Sequence, residues 1–186
     1  MRGFHRADLL FSLCGLNCGL CPMHLDGRCP GCGGGEGNQS CAIARCSLAH
    51  GGMEYCFQCE EYPCARYDGM EEYDSFVTHR HQRQDMERMR AIGPDAYGAE
   101  QRERRRALDE LLADFNDGRR KTLFCVASAL LPLPELREVM GRIAEEAAPD
   151  RMPLKERAAC AAQLLGEVAS RCGIELKLRR KPRNRG

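Results

Sequence analysis

From position 108 onward apolar residues recur at helical spacing. Leu108, Leu111, Leu112 and Phe115 fall at i, i+3, i+4 and i+7, and Leu136, Val139, Met140, Ile143, Ala144 and Ala147 continue that spacing. The clearest stripe is Leu154, Ala158, Ala161, Ala162, Leu165, Val168, Ala169 and Cys172, with Pro153 suited to a first helical position and Gly173 to the position just past the end. Residues 123–131 are apolar almost without interruption, which predicts a buried central helix and places Cys125 in a core. Cys160 and Cys172 read as core residues for the same reason. Breakers at Gly93-Pro94, Asn116-Asp117-Gly118, Pro132-Leu133-Pro134 and Pro149-Asp150 divide this half into about five helices. Residues 73–92 form the weakest of these, and 95–172 read as a small bundle. Ile174, Leu176 and Leu178 alternate with charged residues, which predicts a short strand before a frayed basic tail.

Before position 65 the pattern disappears. Residues 14–64 show neither a period of 3.6 nor of 2 and include the run Gly33-Gly34-Gly35-Glu36-Gly37-Asn38. This part cannot build an ordinary hydrophobic core from its own side chains, and the cysteines offer the alternative. The chain of 186 residues has 13 Cys, ten of them at positions 14, 18, 21, 29, 32, 41, 46, 56, 59 and 64. Arg2 and Arg6 precede only the short apolar run 9–13, too short for an export signal, and bulky Leu13 before Cys14 does not suit lipidation. The expected compartment is therefore the reducing cytoplasm, where clustered thiols are metal ligands rather than disulfides.

The spacing supports ligation. Cys18/Cys21, Cys29/Cys32 and Cys56/Cys59 are Cys-x-x-Cys pairs, in which one tight turn aims two sulfurs at a tetrahedral ion while turn amides donate to the sulfurs. Gly15, Gly19, Gly31 and Gly33 suit such turns, and Pro22, Pro30 and Pro63 stiffen them. All ten residues, Cys14, Cys18, Cys21, Cys29, Cys32, Cys41, Cys46, Cys56, Cys59 and Cys64, are candidate ligands for two or more Zn2+ ions. A first grouping takes Cys18, Cys21, Cys29 and Cys32 for one ion and Cys41, Cys46, Cys56 and Cys59 for another, leaving Cys14 and Cys64 over; cross-bracing would exchange memberships. His24 or His50 could complete a site, although for all five histidines the plainer reading is a structural one.

Cysteine-only coordination also suits a [4Fe-4S] cluster, although the run characteristic of bacterial ferredoxins is absent. Cys14-x₃-Cys18-x₂-Cys21 has the spacing of radical S-adenosylmethionine enzymes, and Gly34-Gly35-Glu36 looks like the segment they use for the methionine amino group. Against that stand the absence of alternating β and α patterns and a length below the ~250 residues of a full barrel. No hydrolytic motif or phosphate loop occurs.

Charge alters the picture only at the end. The net charge is +1, but residues 173–186 carry six basic and one acidic side chain. This tail, with Arg102, Arg104, Arg105 and Arg106, makes nucleic acid a conceivable partner. Solvated salt-bridged faces are the simpler account of the arginines, and anionic zinc–thiolate centres would repel phosphate. No segment is long and apolar enough to span a bilayer.

Cys14-Gly-Leu-Asn-Cys18-Gly-Leu-Cys21-Pro, Cys29-Pro-Gly-Cys32, Cys41 to Cys46, and Cys56-Phe-Gln-Cys59-Glu-Glu-Tyr-Pro63-Cys64 resemble the cysteine-rich bacterial and archaeal family called domain of unknown function 3795. The likeness continues through Met89-Arg-Ala-Ile-Gly93, Asp117-Gly-Arg-Arg-Lys121, Phe124-Cys125, Leu130-Leu131-Pro132 and Gly173-Ile-Glu-Leu-Lys-Leu-Arg179. The resemblance implies a metal-binding protein, with zinc as the metal, and implies no substrate. The expected architecture is mostly α: an irregular, zinc-ribbon- or knuckle-like metal-bound module over 1–66, packed on a helical domain over 67–176, with a basic tail over 177–186. The expected role is structural or interactive, with another protein as partner. The alternatives are an iron–sulfur protein for electron transfer or redox sensing, and a nucleic-acid-associated zinc protein.

Overall fold

The computed structural model describes residues 2–35, 41–147 and 152–182. The glycine-rich run past Gly35, the breaker Pro149-Asp150 and the tail past Pro182 lie outside them. The described residues are mostly helical and contain no strand. Seven helices follow in order: α1 (Pro22–Leu25), α2 (Ala42–Ala49), α3 (Gln82–Ile92), α4 (Pro94–Asp114), α5 (Lys121–Leu130), α6 (Leu133–Glu146) and α7 (Leu154–Arg171). Single 3₁₀ turns occupy Cys18–Leu20, Cys56–Gln58 and Ala65–Tyr67. Among the described residues no helix is long and apolar enough to cross a membrane.

The chain divides into two compact units, Met1–Ala99 with Leu178–Gly186, and Glu100–Lys177. In the second unit α5 is buried from Phe124 to Leu130, as its unbroken apolar run predicts. Leu136, Val139 and Ile143 of α6 and Ala158, Ala161, Leu165 and Val168 of α7 are likewise buried, the alanines allowing α7 to lie close to its neighbours. Gly173 closes α7 at φ 67°, with its N–H on the Ser170 carbonyl (3.1 Å) and the Ile174 N–H on the Ala169 carbonyl (2.8 Å). Arg104 donates to the carbonyls of Ser128 (2.9 Å) and Leu131 (2.7 Å), satisfying the end of α5, and Arg105 pairs with Asp109 at 2.8 Å. Two of the four arginines between 102 and 106 thus have structural work. Cys125 is buried as expected, while Cys160 and Cys172 are half-buried.

The first unit extends past the composition change at 66/67 for a physical reason. Its segment 2–67 supplies one small apolar cluster, with Phe4, Leu13, Cys14, Ile43, Ala44 and Tyr67 at its centre. A second cluster joins Phe11 and Tyr55 to Met86, Met89 and Tyr97, so a cysteine-rich segment poor in apolar side chains takes three from α3 and α4. Phe11 meets Tyr97 edge-on at 4.8 Å.

Two expectations need correction. Residues 73–81 are not helical, because the buried Asp74 carboxylate holds them as a loop. It accepts from the Thr78 hydroxyl (3.2 Å), the His79 N–H (2.8 Å) and the Arg179 N–H (2.7 Å). The expected strand over 174–179 is also absent. The Asp74 N–H meets the Arg179 carbonyl at 2.8 Å, and Leu178 is buried as the alternation implies. The start of the basic tail is therefore fixed, with Arg180 donating to the Ser75 carbonyl at 2.9 Å. Asp74→Ala, which strands three donors, is expected to cost about 3 kcal/mol in denaturant unfolding and to expose the Arg179 amide to hydrogen exchange. A loss below about 1 kcal/mol would show that water replaces the carboxylate.

Candidate metal centre

The thiol-bearing segments are held together first by one arginine. The Arg6 side chain is 1% exposed. Its Nε donates to the Glu54 carbonyl (2.9 Å), and Nη1 to the carbonyls of Asp8 (2.9 Å), Phe11 (2.9 Å) and Cys32 (3.3 Å). The guanidinium lies 3.5 Å from the Glu54 carboxylate and 5.2 Å from the centre of the Tyr55 ring. Arg6 thus ties residues 8–11, the Cys32 turn and the 54–55 segment to one point. At Gly33 (φ 90°) a Cβ would come within 2.8 Å of the Arg6 backbone nitrogen, so the Cys32 turn reaches Arg6 only because glycine follows it.

Around this anchor the ten cysteines fall into sets that differ from the first grouping. Cys14 is buried, and its thiol is pushed up to about 11 by burial, with Cys32 and Cys41 close enough to add to the shift. Cys18 is raised by burial and by its neighbours Cys32, Cys14 and Cys21. Cys14, Cys18, Cys32 and Cys41 therefore form one set by electrostatic proximity, with Cys41 exposed at its edge, and Cys21 lies near both Cys18 and Cys29. The second set is Cys46, Cys56, Cys59 and Cys64, which line one cavity of about 30 Å³. Burial pushes the Cys56 thiol up to about 12, with Cys14, Cys64 and Cys46 adding to it. Cys18 thus keeps Cys32 and Cys21 as neighbours and Cys29 stays near Cys21, while Cys14 joins Cys32 and Cys41, and Cys64 joins Cys46, Cys56 and Cys59. Cys41 is the N-cap of α2 and Cys46 lies in the next turn, so the helix directs the two differently.

Donors converge on the sulfurs. The Ser12 hydroxyl lies 3.3 Å from Cys14 Sγ and itself accepts from the Leu16 N–H (2.7 Å). The Leu13 N–H and the Arg6 guanidinium favour the Cys32 thiolate, as do the N–H groups of Met23 and His24 that of Cys21. The Tyr67 hydroxyl donates to the Cys14 carbonyl (3.2 Å) and lines the same cavity as Cys56, whose thiolate it favours. Burial and the neighbouring thiols keep Tyr67 protonated and so a donor. None of these donors was singled out from sequence, since nothing local marks Arg6, Ser12 or Tyr67 as a neighbour of sulfur.

The histidines mostly take the plainer role. The His24 ring is engaged with the Cys29 carbonyl at 3.0 Å, and His79 with Met70 and Ser75. His50 lines the cavity, its Nδ1 3.7 Å from Cys46 Sγ and 2.8 Å from the Cys46 carbonyl. None of the cysteines is in a disulfide. Among the described residues no three His, Cys, Asp or Glu side chains stand close enough, as placed, to hold a metal ion. No family model matches the chain, and no curated protein or solved structure matches it either.

Proposed function

We propose that residues 2–99 form a metal–thiolate module with two centres, Cys14/Cys18/Cys32/Cys41 and Cys46/Cys56/Cys59/Cys64, and that metal binding holds this part of the chain in a structural or interactive role. The observation that carries this reading is the Ser12 hydroxyl 3.3 Å from the buried sulfur of Cys14, with the Arg6 cation and the Leu13 N–H favouring the thiolate of half-buried Cys32. Such donors contribute most when sulfur is anionic, yet burial and adjacent thiols oppose ionisation. A bound cation resolves the conflict, because it deprotonates the thiols and draws them together, so that closure of the site and metal binding are one event. Zinc suits the first centre, where turn amides meet sulfur as they do in zinc knuckles, and it is the metal the family resemblance implies.

The test is elemental analysis of the full chain purified without oxygen, compared with Cys18→Ser. About one equivalent of zinc lost in the variant supports the first centre. A wild-type protein free of metal, with all ten thiols titratable by a thiol reagent, overturns the reading.

A further inference from the structure

The second thiol set borders a cavity. In a zinc–tetrathiolate the ~2.3 Å bonds place sulfurs about 3.8 Å apart, leaving no space beyond the ion. In the second set four thiols border a cavity of about 30 Å³, whereas about 10–15 Å³ suffices for one water. The thiols come from separate places: Cys46 from α2, Cys56 and Cys59 from the ends of a 3₁₀ turn, and Cys64 from the segment before the next turn. Much of the remaining wall is apolar, with Leu13, Ile43, Met53 and Tyr62 among its residues. Water gains few partners from such walls. A group with several atoms of its own, soft enough for thiolates and tolerant of an apolar shell, fits this space better than one ion.

Resting on the metal–thiolate reading, we infer that the cavity bordered by Cys46, Cys56, Cys59 and Cys64 takes an iron–sulfur cluster, each thiolate binding iron and inorganic sulfide filling the middle. Four-cysteine sets hold such clusters, and hydrogen bonds to their sulfurs set the potential. The Tyr67 hydroxyl, which lines the same cavity as Cys56, is placed to supply one of these bonds.

The experiment uses the full chain, reconstituted without oxygen with ferrous iron, sulfide and thiol, then desalted and assayed for iron, acid-labile sulfide, zinc and visible absorption. The expected result is iron and sulfide in equal amounts, with a visible band that bleaches on reduction. Cys64→Ser should lose at least about tenfold of the iron while keeping the zinc of the first centre. Tyr67→Phe keeps all four thiols and tests placement even if the cysteine variant fails to fold: it should retain the cluster at a lower midpoint potential. An unchanged potential would overturn the assignment to this cavity. Two zinc per chain with no sulfide would overturn the cluster and leave the metal–thiolate reading standing, whereas binding of neither metal would end both.

Discussion

Stripping metal from the protein with a strong chelator is expected to abolish the tyrosine near-ultraviolet circular dichroism while leaving most of the far-ultraviolet helical signal. All five tyrosines, at 55, 62, 67, 73 and 97, lie in the first unit, and the chain has no tryptophan, so this band reports that unit alone. Its two apolar clusters are small and share their space with thiols. A structural zinc contributes on the order of 10–16 kcal/mol of binding free energy in small domains, more than such clusters replace. Most of the helix, in contrast, lies in Glu100–Lys177, where Leu108, Leu111, Phe124, Leu136, Ile143, Leu165 and Val168 are fully or almost fully buried without any thiol ligand. Re-adding metal under reducing conditions should restore the band. An unchanged tyrosine signal in protein shown to be metal-free would mean that packing alone holds the first unit.

The second large effect is expected from Arg6→Met. The substitution keeps much of the length and apolar volume but withdraws the donors from the carbonyls of Asp8, Phe11, Cys32 and Glu54 and uncovers the Glu54 carboxylate. Losing one partner of a buried, hydrogen-bonded charge costs about 3–5 kcal/mol. Denaturant unfolding followed by tyrosine signal should show a loss of that size. Metal should also leave the first centre faster on chelator challenge, because Cys32 loses the cation that favours its thiolate. Arg6→Lys retains charge without the planar fork and should fall between the two. A change below about 1 kcal/mol in Arg6→Met would show that water reaches those carbonyls.

What could be read from the chain divides along a physical line. Period and punctuation are local properties, so the buried helix at 121–130, the apolar face of α7 and the glycine closure at 173 were legible, and so was the segregation of ten cysteines from the helical half. Where local pattern and long-range contact competed, the pattern misled. Residues 73–81 continue the weak amphipathic pattern of 73–92 but are committed to Asp74, and Ile174, Leu176 and Leu178 alternate without a neighbouring strand to pair with among the described residues.

The same division runs through the candidate centres. Residue type and spacing identified which sulfurs are chemically available, because Cys-x-x-Cys turns are local. Tertiary structure decided which sulfurs are neighbours, since Cys14 comes within electrostatic reach of Cys32 and Cys41, and Cys46, Cys56 and Cys64 line one cavity, only once loops of up to 27 residues have closed. It also decided what surrounds them. Arg6 lies 26 residues before Cys32 in the chain, and Tyr67 lies 53 residues after Cys14, distances over which no sequence period carries information. By itself the sequence determined a helical half with its own core and a cysteine-rich half with few apolar side chains to build one. Folding selected the partners of each thiol, because burial and hydrogen bonding act between segments that only packing brings together.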